Sequence, residues 1–256
     1  MFKELYNYRQ LLKSNIKKDI RGKYKGSFLG VLWSFVNPLL MTLVYAIVFP
    51  YILKDTGDNY VTFLVIGILP WTFFTTVISQ GTYCILANAG IIKKVYFPRE
   101  ILPISIATSG LINFLISCLI IFLFLIFSGV GFSIQILWLP LIILTQYLFS
   151  LALIFITSAV NVYIRDAEYI INFIVSMLFY ATPILYKAET FTGSAIEWII
   201  KLNPMATIIT CYHDVLFYQS LPNIKSLLIV LLGSIILLWV GYKIFKELEK
   251  RFAEEV

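Results

Sequence analysis

Residues 101–164 read ILPISIATSGLINFLISCLIIFLFLIFSGVGFSIQILWLPLIILTQYLFSLALIFITSAVNVYI, and no Asp, Glu, Lys or Arg interrupts them. A helix crosses the hydrocarbon core of a bilayer with about 20 consecutive apolar residues. This run is long enough for two crossings, so it must fold back on itself, and Ser128-Gly129-Val130-Gly131-Phe132-Ser133 is the natural point of reversal. Working outward, charge is also absent over residues 28–53, 60–92, 169–186 and 226–242. The pattern predicts six spans, near 28–53, 60–87 (with Pro70 inside), 101–127, 134–164, 169–186 and 226–245. Composition agrees: 60% of the chain is hydrophobic and 13% charged, where soluble domains carry about 25% charged residues. The expected fold class is an all-α integral membrane protein.

Basic residues predict its orientation. Of the 20 Lys and Arg, only Lys54, Lys187, Lys201 and Lys225 fall in segments that lie outside if the N-terminus is cytoplasmic. The rest gather before the first span, at Lys93, Lys94 and Arg99, at Arg165, and in the tail. Cytoplasmic loops attract this excess, so both termini are expected inside, and the net charge of +6 reflects membrane topology rather than nucleic-acid binding. Residues 1–27 are basic and polar, and the apolar run that follows is too long for a cleavable signal. The first span is expected to stay in the mature chain.

Two segments do not fit a simple bundle. In residues 3–27, Leu5, Tyr8, Leu12, Ile16 and Ile20 recur at helical spacing, with Arg9, Lys13, Lys17 and Arg21 largely off that stripe. This reads either as an amphipathic helix lying in the membrane surface or as a basic flank that only sets topology. Residues 187–225 are apolar in short pieces, 195–202 and 206–218, with Asn203-Pro204 between them. Neither reaches crossing length, which favours interfacial or re-entrant helices on the outer side over an ordinary folded loop.

Several chemistries are excluded. Proton- or ion-coupled transporters keep ionisable residues at mid-membrane depth, and the expected spans hold no Asp, Glu, Lys or Arg there, Lys243 falling at the end of the last. The 3 cysteines, Cys84, Cys118 and Cys211, have no metal spacing, and the single His213 rules out a histidine cluster, reading instead as a surface or interfacial residue. Asp166 and Glu168, beside Arg165, read as a capping and ion-pairing cluster rather than a catalytic pair. No G-x-x-x-x-G-K-[ST] loop occurs, so any ATP that drives this protein is hydrolysed on another chain.

The run Arg21-Gly22-Lys23-Tyr24-Lys25-Gly26-Ser27-Phe28-Leu29-Gly30, with Trp33 and Pro38 after it, resembles the N-terminal signature of type-2 ABC permeases, in particular those exporting O-antigens and wall teichoic acids. Similar pieces follow in order: Gly67-Ile68-Leu69-Pro70-Trp71-Thr72-Phe73-Phe74, then Lys93-Lys94-Val95-Tyr96-Phe97-Pro98-Arg99-Glu100, then Asn161-Val162-Tyr163-Ile164-Arg165-Asp166. Thr182-Pro183-Ile184-Leu185-Tyr186 and Leu202-Asn203-Pro204 complete the set.

The resemblance implies a transmembrane domain over 28–256 preceded by an interfacial helix in 1–27, with short extracytoplasmic helices in 187–225 and a cytoplasmic tail at 246–256. It implies that the loop 88–100 docks on a partner ATPase through Asn88, Lys93, Lys94, Tyr96, Phe97, Pro98 and Arg99, where a plain positive-inside loop is the alternative. It implies a homodimer with two ATPase copies, which carry the ATP and magnesium, in the plasma (inner) membrane of a bacterium. The substrate implied is an undecaprenyl-diphosphate-linked glycan. Arg21, Lys23, Tyr24, Lys25 and Trp33 would form its access point, the basic residues attracting either the diphosphate or anionic lipid headgroups at about 1 kcal/mol each. Teichoic acid and O-antigen are not separable by any motif, and the overall likeness leans towards teichoic acid. A type-2 exporter of small molecules and an ATPase-independent channel or scramblase are the competing readings.

Overall fold

The computed structural model describes residues 6–22, 32–53, 58–187, 190, 193 and 195–256, and among these the ordered elements are all helical. They are α1 (Arg9–Gly22), α2 (Trp33–Leu53), α3 (Tyr60–Ala87), the short α4 (Ala89–Ile92), α5 (Ile101–Phe127) and α6 (Leu139–Tyr163, entered through a 3-10 turn at Ile134–Trp138). After them come α7 (Ala167–Tyr180), α8 (Ala195–Leu202), α9 (Pro204–Leu216), α10 (Ile224–Leu248), and α11 (Phe252–Glu255) behind a 3-10 turn at Glu249–Arg251.

Among the described residues, four stretches are long and apolar enough to cross a membrane: Tyr60–Ala87, Ile101–Phe127, Ile134–Tyr163 and Ile224–Arg251. Val36–Ile52 and Ala167–Tyr180 are shorter apolar helices. Expected reversals fall where the sequence places them. Helix α5 ends at Phe127 because Gly129 and Gly131 both take φ +74°, and the Gly131 N–H returns to the Leu125 carbonyl at 3.0 Å. Asn203 caps α9 by accepting from the Met205 N–H at 3.0 Å, and Pro204 occupies the first helical position, where a missing N–H costs nothing.

The helix in the fifth expected span is shorter than its apolar run of 169–186, ending at Tyr180. Helix α7 has 14 residues, so it is about 21 Å long, short of a hydrocarbon core of about 30 Å. Pro183 pushes Thr182 away from helical geometry, and the chain turns instead. Thr182 donates to the Leu178 carbonyl at 2.7 Å, while the Asn203 amide donates to Thr182 Oγ1 at 2.9 Å and pins that turn to the head of α9. The last helix runs further than the expected span, from Ile224 to Leu248, and takes Lys246 and Glu247 into its final turn.

Helix α3 is the axis of the bundle. Its apolar window is 78% enclosed, against 17% for α10, and it packs on α2, α5, α6, α7 and α9. A buried polar chain crosses the middle: Gln146 of α6 donates to the Pro70 carbonyl at 2.8 Å and accepts from the Tyr212 hydroxyl of α9 at 2.9 Å. Helix α1 lies along α5 with Tyr8, Leu11, Leu12, Ile16 and Ile20 turned inward and Arg9, Lys13 and Lys17 exposed. The cysteines are separate free thiols in α3, α5 and α9, all buried. Asp166 makes no side-chain cap on α7; Asn161 supplies the cap by accepting from the Glu168 N–H at 3.0 Å.

His213 is not at the surface. It is 3% exposed, its ring stacks on Phe63 at 3.8 Å, and Nε2 meets the Phe63 carbonyl at 3.0 Å. A carbonyl only accepts, so Nε2 carries the proton of a neutral imidazole. Burial pulls the group down to about 4, a fall that the Phe63 bond partly offsets. An unfolded histidine titrates near 6.5, so between those values the unfolded chain binds the extra proton and stability falls as pH falls. Acidifying from pH 7 to pH 5 is expected to cost about 2 kcal/mol through this residue. Thermal unfolding of the detergent-solubilised protein checks this: His213→Gln should lose that increment of the pH slope, and an unchanged slope contradicts it.

Candidate functional site

Two features stand out from the bundle: a groove at mid-helix depth and a basic, partly apolar turn at one end. The groove lies between α3 and α7, with Tyr45 of α2 on its third side, and has a volume of about 630 Å³. Helical spacing puts Trp71, Thr75, Thr76, Ser79 and Gln80 of α3 on one wall, and Asn172, Ser176, Phe179 and Tyr180 of α7 on the other. The rings form a connected edge. Trp71 meets Phe179 edge-on at 5.8 Å, Tyr45 lies 5.7 Å from Phe179, and Tyr180 follows at 5.4 Å.

The polar groups are less contented than the rings. Ser176 donates to the Asn172 carbonyl at 2.8 Å and Thr75 to the Thr72 carbonyl at 3.2 Å. Among the described residues, the side chains of Thr76, Ser79, Gln80 and Asn172 have no hydrogen-bond partner. An amide or hydroxyl held in hydrocarbon without a partner costs about 2–7 kcal/mol. Four such groups on one face therefore mark it as a face toward water, a polar ligand or another protein surface, and not toward lipid tails.

Across α7 the lining changes character. A second cavity of about 500 Å³ is bounded by Phe74, Ile78, Phe149, Leu153, Ile171, Ile174 and Leu178, closed at one end by Pro204 and Met205. Helix α7 thus separates a hydroxyl- and amide-bearing groove from an apolar one, and Val175 borders both.

The turn after α3 carries the residues expected to dock a partner, and the structure divides them. Lys93, Lys94 and Tyr96 project outward with Ile91 and Val95, and Tyr96 is 90% exposed. Asn88 bridges: its amide donates to the Cys84 carbonyl at 2.8 Å, and its oxygen accepts from Lys18 of α1 at 3.4 Å. Phe97, Pro98 and Arg99 turn the other way. Phe97 is 6% exposed, and Arg99 donates to the Glu249 carbonyl of the tail. Phe97 joins the hydrophobic core and Arg99 the tail, with Pro98 half-buried between them, an arrangement that spacing does not carry. Of the expected lipid-diphosphate set, Lys23, Tyr24 and Lys25 lie outside the described residues, as does the Arg21 side chain, while Trp33 is exposed at the first turn of α2. Among the described residues, no group of three or more His, Cys, Asp and Glu gathers to hold a metal.

The groove residues were not anticipated. Their signal is present in the sequence: Thr75 and Ser79, and Thr76 and Gln80, are each four residues apart inside a charge-free run, and Asn172 and Ser176 repeat the interval.

A helical bundle with crossing-length helices, an unlipidic groove between two of them and a basic end with an exposed turn has the layout of a polytopic permease. The chain belongs to the ABC-2 type transporter family, whose description matches residues 10–217. It is therefore a membrane transport subunit. It is 34% identical over 257 residues to the O-antigen export system permease protein RfbA of Myxococcus xanthus, covering 100% of this chain and 99% of that protein. Two proteins of the same description from Klebsiella pneumoniae are 36% and 35% identical, each over 93% of this chain and 91% of its own length.

Proposed function

We propose that this chain is the permease of an ATP-driven exporter of lipid-linked polysaccharide. The likeness to O-antigen export permeases favours an O-antigen type of polymer, where the sequence alone leaned toward teichoic acid. In this reading α2, α3, α5, α6, α7 and α10 cross the plasma membrane of a bacterium, with both termini cytoplasmic. The short α7 spans with the help of the turn at 181–186. Two copies pair, each with one ATPase subunit that holds ATP and magnesium.

The observation that carries the reading is the set of unpartnered hydroxyl and amide groups beside an aromatic edge at bilayer depth. Sugars offer hydroxyls to Thr76, Ser79, Gln80 and Asn172, and apolar ring faces to Trp71, Tyr45 and Phe179. Stacking is tolerant of which sugar lies on it, so a polymer can slide past without one sequence being fixed. The apolar cavity behind α7 suits the hydrocarbon chain of an amphipathic carrier. Helix α1 lies at the membrane surface, its basic face toward anionic headgroups. The exposed turn at 91–96, together with Asn88, meets the ATPase.

Depletion of the protein tests this directly. Lipid-linked glycan is expected to accumulate on the cytoplasmic side while surface glycan falls. Normal surface glycan with new sensitivity to drugs would point instead to a small-molecule exporter.

A further inference from the structure

Glu100 is a carboxylate with no exposure to solvent, at the N-cap position of α5 and next to the turn proposed to meet the ATPase. Its partner is Lys246, near the end of α10, at 2.7 Å. Lys246 also reaches Glu249 at 3.2 Å, and Arg99 donates to the Glu249 backbone carbonyl. Tyr163, at the end of α6, donates to the Leu248 carbonyl at 2.8 Å. Phe252 is fully buried against Phe245 at 5.5 Å, and its helix α11 rests on α4. The start of α5, the end of α6, the end of α10 and the tail are thereby fastened at one point.

A plain structural end-cap has no need of this chemistry. Apolar residues of similar size would close the same space at little cost, because burying the Glu100 carboxylate completely consumes much of its attraction to Lys246, whose side chain stays a third exposed. What a buried pair adds is directional rigidity: the two groups hold one geometry and strongly resist separation. Glu100 Oε1 is buried without a hydrogen-bond donor, while Glu249 Oε2 shares the Lys246 ammonium at 3.2 Å, so one cation holds two carboxylates together.

We propose that Glu100 and Lys246 are positioning residues for transport coupling, making the ATPase-facing turn, the last membrane helix and the tail move as one body. This rests on the reading of residues 91–96 as the docking surface. A push on the turn then reaches α10 through the Glu100–Lys246 pair and α6 through Tyr163. Without the clamp, the turn would tilt locally and the work of ATP closure would be dissipated at the membrane surface.

The test uses the permease reconstituted with its ATPase partner, reading ATPase association, hydrolysis rate, glycan exported per ATP and melting temperature. Glu100→Gln is expected to lower export per ATP by about tenfold, which corresponds to about 1.4 kcal/mol of coupling, with ATPase association unchanged. Lys246→Arg keeps the charge and should retain the ratio. If Glu100→Gln does not fold, Tyr163→Phe removes one fastening at a partly exposed site and should lower the ratio by about twofold. Wild-type export per ATP in a folded Glu100→Gln or Tyr163→Phe protein overturns the clamp. Tyr96→Asp separates the two readings: it should weaken ATPase association, and if it does not, the docking assignment fails and the clamp proposal fails with it.

Discussion

Ser176→Trp is expected to reduce glycan export at least about tenfold while leaving the protein folded and its ATPase partner bound. The reasoning is steric. Ser176 faces the groove from α7, is exposed, and its hydroxyl only returns to its own helix at the Asn172 carbonyl. An indole here occupies a large part of a 630 Å³ groove that a sugar chain would otherwise fill. Tryptophan is a tolerable helix residue, and nothing in the core must move to admit it. Ser176→Ala removes the hydroxyl without filling the space and should export almost normally. Export measured in cells, with melting temperature of the purified variants alongside, checks the pair. Unimpaired export in a folded Ser176→Trp protein would remove the groove from the glycan's path.

Gly241→Val should destabilise the bundle by forcing two of its helices apart. Helix α10 packs along α6 more extensively than any other pair among the described helices, and Gly241 faces α6 in that contact. A Cβ there would sit 2.8 Å from the Ala152 carbonyl oxygen and 3.1 Å from Ile156 Cγ1. The nearer atom is backbone, so a rotamer change cannot relieve the clash and the helices must part. In a membrane, where lipid is as apolar as the helix surface, close packing at small residues is the main source of helix association. Overpacking of this kind costs about 1–3 kcal/mol, and β-branching leaves the side chain little room to turn. Thermal unfolding in detergent measures it. Gly233→Val on the same helix, where a new Cβ meets open space, should be near neutral, and equal loss in both variants would contradict the packing argument.

The long helices were legible because charge is so costly in hydrocarbon that its absence marks span after span: the boundaries 60–87 and 101–127 match α3 and α5. Turn chemistry was equally readable at Gly129 and Gly131 and at Asn203-Pro204, since each residue type has a specific conformational reason to be there. The end of helix α7 was not legible in the same way. Apolarity continues through 181–186, but Pro183 and the grip of Asn203 on Thr182 end the helix, and the second of these depends on a residue far along the chain.

The sites were harder to read. The inward turn of Phe97 and Arg99 depends on the tail folding back over the turn, and the buried His213 depends on Phe63 lying beneath it. Local spacing contains neither fact. Thr76, Ser79, Asn172 and Ser176 carry a periodic signal, but small polar residues also serve helix packing in membranes, and only the assembled walls show which role applies.

The central claim is that this chain provides a passive, polar path whose driving force comes from another polypeptide. Reconstituting it in sealed vesicles with and without its ATPase, and following lipid-linked glycan across the bilayer, measures that claim most directly. Movement in one direction that requires both the ATPase and ATP is the expected result. Directional movement by the isolated chain would contradict it.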